Sequence, residues 1–145
     1  GDKNVGAIAS SLAADIYGLD ILDADILDSN SNTTRFLVMA REEDIPADPN
    51  LPAITTLIFE VRSVPAVLYK ALGGFATNGI NLTKLESYMK GGSMQAAQFY
   101  IDCEGHIETT AMARALEELR FYCKDGGVQI LGTYPASPAR HSKAS

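Results

Sequence analysis

The sequence predicts an α+β chain: a ferredoxin-like βαββαβ domain over residues 55–135, preceded by a helix-strand fragment of an α/β lobe. Three observations predict it. Segments with two-residue apolar alternation and segments with 3.6-residue spacing follow one another as strand, helix, strand, strand, helix, strand, the split βαβ order. Asn78-Gly79, Gly91-Gly92 and Gly126-Gly127 punctuate those segments. Pro46, Pro49 and Pro52 lie close together before the first strand and suit an extended connection.

Each element has its own justification. From Val5 to Tyr17, residues Val5, Ile8, Ala9, Leu12 and Ile16 share one helical face, and Gly18 stands where a C′ glycine ends a helix. Ser29 to Asn32 reads as a loop, and Arg35 to Ala40 as a short apolar strand. This opening piece has too few elements to close a core. After the prolines, Leu57, Phe59 and Val61 alternate with Ile58, Glu60 and Arg62, giving the first strand of the main domain. Leu68, Ala71, Leu72 and Phe75 form a helical stripe that Asn78-Gly79 stops. A strand from Ile80 to Met89, a turn at Gly91-Gly92 and a strand from Gln95 to Cys103 make a hairpin with Ala97, Phe99 and Ile101 on one face. Met112, Leu116, Leu119 and Cys123 define the second helix, which Gly126-Gly127 is expected to end before a last strand from Val128 to Tyr134. Right-handed crossovers put both helices on one face of the sheet, so outward residues such as Ile58 and Tyr100 call for cover by a second subunit. The expected organisation is therefore residues 1–43 as the fragment, 44–54 as linker, 55–135 as the βαββαβ domain and 136–145 as a disordered tail.

Composition narrows the function. With 145 residues, 46% hydrophobic and 21% charged, the chain has room for one full core plus part of another. A net charge of -6 and an isoelectric point near 4.8 speak against nucleic acid or an anionic membrane, either of which needs clustered Lys and Arg. No apolar run approaches the roughly 20 residues of a membrane span, and the first four residues do not open a signal peptide, so a cytoplasmic protein is expected. Cys103 and Cys123 lack neighbours at metal-ligand spacing and read as buried, reduced thiols. His106 and His141 are isolated and suggest neither ligand nor general base. No metal and no cofactor are expected.

Asn32-Thr33-Thr34-Arg35-Phe36, following an Ala-rich helix that ends in Tyr17-Gly18-Leu19, resembles the threonine-arginine-phenylalanine signature of prephenate dehydratases. Ile80 to Ser87 resembles the strand of that family's ACT regulatory domain that carries its Glu-Ser-Arg-Pro motif. Tyr88-Met89 stand here for Arg-Pro, and Ala66 stands where the family has the glycine of a Gly-Ala-Leu motif after the proline. The resemblance implies the end of a dehydratase catalytic domain followed by an ACT domain that binds L-phenylalanine for feedback inhibition. It implies conversion of prephenate to phenylpyruvate with loss of water and carbon dioxide, in a homodimer or tetramer, and a chain that is inactive without the rest of the catalytic domain. By the same resemblance Thr34 is the donor to the departing hydroxyl, where developing charge needs stabilisation. Arg35 anchors a carboxylate with its planar fork, and Asn32 is the third candidate catalytic residue.

Read without the resemblance, Thr34 starts a strand, Arg35 is a solvated edge residue and Asn32 caps a loop. For the amino-acid ligand the candidates are Pro65, Ala66, Val67 and Leu68, at a helix start that offers free N–H groups to a carboxylate, with Asn81, Leu82, Glu86 and Ser87 on the following strand. Glu86 would meet the ammonium group. As structural residues instead, Glu86 is an exposed strand position and Pro65 a helix-starting proline. Two rivals stand beside the enzyme reading: a stand-alone amino-acid-sensing ACT module, and an ACT domain that only dimerises. The Thr34-Arg35-Phe36 run separates the first of them from an enzyme.

Overall fold

The computed structural model describes residues 4–26, 28, 34–89 and 96–138. These divide into two units, the first ending at Val38 and the second beginning at Met39.

In the first unit α1 spans Ser11–Tyr17 and ends on Gly18, whose φ of 62° lets its N–H return to Ala14 O. The expected C′ glycine is therefore present, but the helix starts six residues later than the apolar spacing from Val5 suggests. Ser10 gives no side-chain cap, and Ile8, Leu12 and Ile16 are all exposed. A helix this short is marginal without packing on its apolar face, so nothing extends it toward Val5. The strand expected over Arg35–Ala40 is not formed. Phe36, Leu37, Val38 and Met39 are exposed, and an isolated strand has no ladder to satisfy its backbone. Gly91-Gly92, Gln95 and residues 139–145 of the expected tail lie outside the described residues.

The second unit contains β1 (Ala53–Val61), α2 (Val67–Thr77), β2 (Leu82–Met89), β3 (Ala96–Glu104), α3 (Thr110–Tyr122) and β4 (Cys123–Pro135). The sheet order is β2-β3-β1-β4, with β1 central and antiparallel to both β3 and β4. This is the ferredoxin-like βαββαβ arrangement that the residue pattern predicts. Alternation on β1 directs Leu57, Phe59 and Val61 to the helices, where they meet Phe99, Ile101 and Cys103 of β3. Ala71 and Phe75 of α2 and Met112, Ala115, Leu116 and Leu119 of α3 close this core. The rings of Phe59 and Phe99 stack with centroids 5.3 Å apart. Gly74 lets α2 approach α3 closely, since a Cβ there would lie 2.8 Å from Glu118 Cβ.

The end of α3 differs from expectation. The helix stops at Tyr122 and β4 begins at once, so Gly126 and Gly127 lie inside the strand rather than after the helix. The ladder runs Val61↔Cys123 and then Phe59↔Val128, which places residues 124–127 opposite Glu60 alone. Gly126 takes φ 66°, and a Cβ on Gly127 would lie 2.8 Å from both Glu60 O and Lys124 O. Two glycines therefore serve a wide bulge in a ladder that would otherwise be regular.

Candidate functional site

Thr34 and Arg35 lie in irregular, exposed backbone of the first unit, and Asn32 lies outside the described residues. The described residues thus give these two side chains positions without an enclosing surface. A shallow hollow of about 200 Å³ lies instead at the β4 bulge, lined by Arg120, Lys124, Asp125, Gly126, Gly127 and Val128, and holds none of the expected site residues.

The loop after β1 is better defined. Val64 N–H donates to Arg62 O at 3.0 Å and Val67 N–H to Val64 O at 3.3 Å, a tight path that leads into α2. Ala66 is the N-cap residue, with φ 56° and ψ 27°, and supplies no side-chain cap. Pro65 therefore precedes the cap instead of occupying the first helical position. A left-handed N-cap is a conformation that glycine adopts freely and alanine only with strain. The glycine that Ala66 replaces in the resembled motif thus has a conformational reason on this backbone. Val67 and Leu68 are half-buried against the core. Val67 N–H is taken by Val64 O, but with no side-chain acceptor at the cap the positive dipole end of α2 still favours an anion there.

The strand residues divide between two ends and two faces. Leu82 pairs with Cys103, which pairs with Thr55 near the start of β1; Ser87 pairs with Phe99, which pairs with Phe59 near its end. Asn81 and Leu82 are consequently at the end of the sheet remote from Ala66, separated by the length of α2, roughly 16 Å. Asn81 is engaged there: its Nδ2 donates to Glu104 Oε2 at 3.2 Å and its carbonyl accepts from Glu104 N–H at 2.9 Å. Ser87, opposite Phe99, shares the helix-covered face with α2. Glu86, opposite Tyr100, points to the other face. Within one protomer the structure groups Pro65, Ala66, Val67, Leu68 and Ser87 at one end, and leaves Asn81, Leu82 and Glu86 apart from them.

On that other face Glu86 already has partners. Lys84 Nζ lies 3.0 Å from Oε1, and the Tyr88 hydroxyl donates to Oε2 at 2.5 Å. The Tyr88 hydrogen bond, aided by Lys84, holds the Glu86 carboxyl below the usual range, while the same contacts raise the Tyr88 phenol and the Lys84 ammonium. Lys84 also sits 4.9 Å from the centroid of the Tyr100 ring. Deeper on this face Asp102 is fully buried and accepts from Thr56 Oγ1 at 2.7 Å, and Thr56 Oγ1 is 3.0 Å from Tyr134 OH. The face expected to be apolar around Ile58 and Tyr100 therefore carries an extensive polar network. Sequence reasoning missed it, although an Asp in mid-strand, where Asp is depleted, was an available signal.

The two thiols are free and buried, as expected. Burial pushes Cys103 up to about 12 and Cys123 up to about 11, which keeps both protonated and unreactive at neutral pH. Among the described residues no group of His, Cys, Asp and Glu is placed to hold a metal ion, and no helix is long and apolar enough to cross a membrane.

The fold and this geometry define a class: a ferredoxin-like α+β domain with an uncapped helix start at one end of its sheet, joined to a separate N-terminal unit. Comparison with known proteins shows what the chain is similar to. Residues 1–44 match the prephenate dehydratase family model. A bifunctional N-acyl-homoserine lactone acylase/prephenate dehydratase of Komagataeibacter europaeus is 49% identical over 97% of this chain and 49% of its own length. A bifunctional chorismate mutase/prephenate dehydratase of Aquifex aeolicus is 41% identical over 92% of this chain and 36% of its own length. Among solved structures, the prephenate dehydratase from Arthrobacter aurescens in complex with L-Phe superposes with a TM-score of 0.57 at 28% identity, over 67% of this chain and 31% of that one. Along nearly its whole length this chain is similar to segments of proteins named prephenate dehydratase, and it spans half or less of the length of these relatives.

Proposed function

We propose that this chain is the C-terminal part of a cytoplasmic prephenate dehydratase, which converts prephenate to phenylpyruvate in L-phenylalanine biosynthesis and is restrained by L-phenylalanine bound to the βαββαβ, ACT-type domain. The observation that carries this reading is the similarity along nearly the whole chain, across both units, to proteins of that activity. In it Thr34 and Arg35, with Asn32, complete a catalytic pocket whose other walls come from the rest of the enzyme, so the chain by itself is inactive. The uncapped start of α2 at Ala66, Val67 and Leu68 takes the carboxylate of the amino acid. Because Asn81, Leu82 and Glu86 lie away from that helix start, a site that uses all of them is shared between paired domains. A homodimer is the minimal assembly that allows it.

The test is a titration of this chain with L-phenylalanine. If only the folded form binds, ligand at about 100 times its dissociation constant adds roughly 2.7 kcal/mol and raises the melting temperature by several degrees. L-alanine and D-phenylalanine should shift it less. A flat response at millimolar L-phenylalanine overturns the ligand assignment. In the full-length enzyme, Thr34→Ala should lower kcat with little change in KM, as for a contact made in the transition state, and an unchanged kcat removes Thr34 from its role.

The Komagataeibacter relative favours a second activity, hydrolysis of N-acyl-homoserine lactones. Neither cysteine is an activated nucleophile here, since both are buried and strongly raised. Release of the fatty acid from such a lactone by the full-length protein is the measurement that decides it.

A further inference from the structure

We propose that His106 is the anchor that fixes the path by which the chain enters the βαββαβ domain, clamping residues 46–53 as a strap across the end of the sheet. His106 is fully buried, and a buried imidazole is tolerated only when both ring nitrogens are bonded. Both are. Glu108 N–H donates to Nδ1 at 3.2 Å, so Nδ1 is the acceptor and the ring proton belongs on Nε2. Nε2 lies 2.8 Å from Pro46 O, 60 positions back in the chain, and donates to it.

The strap needs such a contact. Proline fixes φ and so stiffens a segment, but it donates no backbone N–H and cannot select the surface on which the segment lies. Residues 48–51 close on themselves: Asp48 O accepts from Leu51 N–H at 3.3 Å, and Asp48 Oδ1 from Asn50 N–H at 2.9 Å. The far end is sewn to the sheet by Gly105 N–H to Ala53 O at 2.8 Å and Ala136 N–H to Pro52 O at 2.9 Å. The His106 bond secures the near end, where the chain arrives from the first unit. His106 can reach it because Gly105 turns there with φ 131°, a conformation that favours glycine, and because Thr109 N–H and Thr109 Oγ1 both close on His106 O. His106 is thus a positioning residue, at the end of the sheet opposite the helix start at Ala66.

Two substitutions separate the anchor from a mere cap on α3. His106→Gln places an amide donor near Nε2 and loses the acceptor for Glu108 N–H. His106→Asn retains an acceptor near Nδ1 and loses the reach to Pro46. In hydrogen exchange, the Leu51 and Ala136 amides should exchange about tenfold faster in His106→Asn and within about twofold of wild type in His106→Gln, while the Glu108 amide shows the opposite order. Nitrogen-15 NMR of the unmodified chain, assigned by loss of the signal in the variants, should show His106 as the Nε2–H tautomer with a slowly exchanging ring proton. An Nδ1–H tautomer, or a strap as protected in His106→Asn as in wild type, overturns the proposal. Should both variants fail to fold, the ring-proton exchange of His106 in the otherwise unmodified chain, told from His141 by His141→Gln, decides: a freely exchanging Nε2 proton overturns the proposal.

Discussion

The two units carry similar apolar patterns and put them to different use. In the first, Val5, Ile8, Leu12 and Ile16 recur at helical spacing yet stay exposed, and among its described residues only Ser11–Tyr17 is helical. In the second, Leu68, Ala71, Leu72 and Phe75 recur in the same way, and an 11-residue helix forms with Ala71 and Phe75 buried. The difference lies in what faces the stripe. For α2, β1 and β3 present Leu57, Phe59, Phe99 and Ile101. For α1, the described residues of its unit offer no sheet at all. Periodicity encodes a preference for a surface, and the structure forms where the chain itself supplies that surface.

The largest expected effect tests this contrast directly. Phe75→Ala should cost about 3–5 kcal/mol, because it removes a fully buried ring from between α2 and the sheet, whereas Ile16→Ala should cost under about 0.5 kcal/mol in this chain. Urea unfolding followed by circular dichroism gives both numbers, and equal losses would mean that the first unit has a core of its own. Next in size is the bulge in β4. Gly127→Ala should destabilise by about 1–3 kcal/mol, since the new methyl group meets two backbone carbonyl oxygens that have little freedom to move. A neutral result would show that the bulge is loose.

Ala66→Gly should work in the other direction. Relief of the left-handed alanine at the start of α2 is expected to stabilise the second unit by about 1 kcal/mol, a rise of roughly 4–8 °C in Tm, partly offset by the entropy of glycine in the unfolded chain. A lower Tm would show that unfolded-state entropy outweighs the strain.

The smallest effect concerns Glu86. Its folded-state pKa is depressed below 4.5, so its contribution is present above that value and is lost as pH falls through the folded pKa. Tyr88 is the converse: its pKa is raised above 10.0, so its contribution holds below that value and is lost as pH rises through the folded pKa. Because Tyr88 is exposed and Glu86 and Lys84 are only partly covered, the readout is titration rather than stability. Tyr88→Phe should bring the Glu86 pKa, followed by carbon-13 NMR, back up toward its ordinary value. No change would mean that Lys84 alone holds the carboxylate.

The sequence by itself determined the order of elements in the second unit, most of its core and the stop of α2 at Asn78-Gly79. Strand alternation at Leu57–Val61 and helical spacing at Leu68–Phe75 and Met112–Leu119 are local periodicities, and each is dictated by which face must leave water. It also exposed Thr34-Arg35-Phe36 and the loop at Ala66, because those are contiguous runs. What only the tertiary structure decided depends on residues far apart in the chain. Gly126-Gly127 looks like a helix stop, and becomes a strand bulge because the ladder to β1 resumes across it. Strand alternation separates Glu86 from Ser87, but which of them faces the helices is set by their pairing with Tyr100 and Phe99. His106 appears isolated until Pro46 is brought to it, and Asp102 appears solvated until Thr56 is placed beside it. A buried polar group is stable only with its partner, and the partner of such a group is set by the fold, not by its neighbours in sequence.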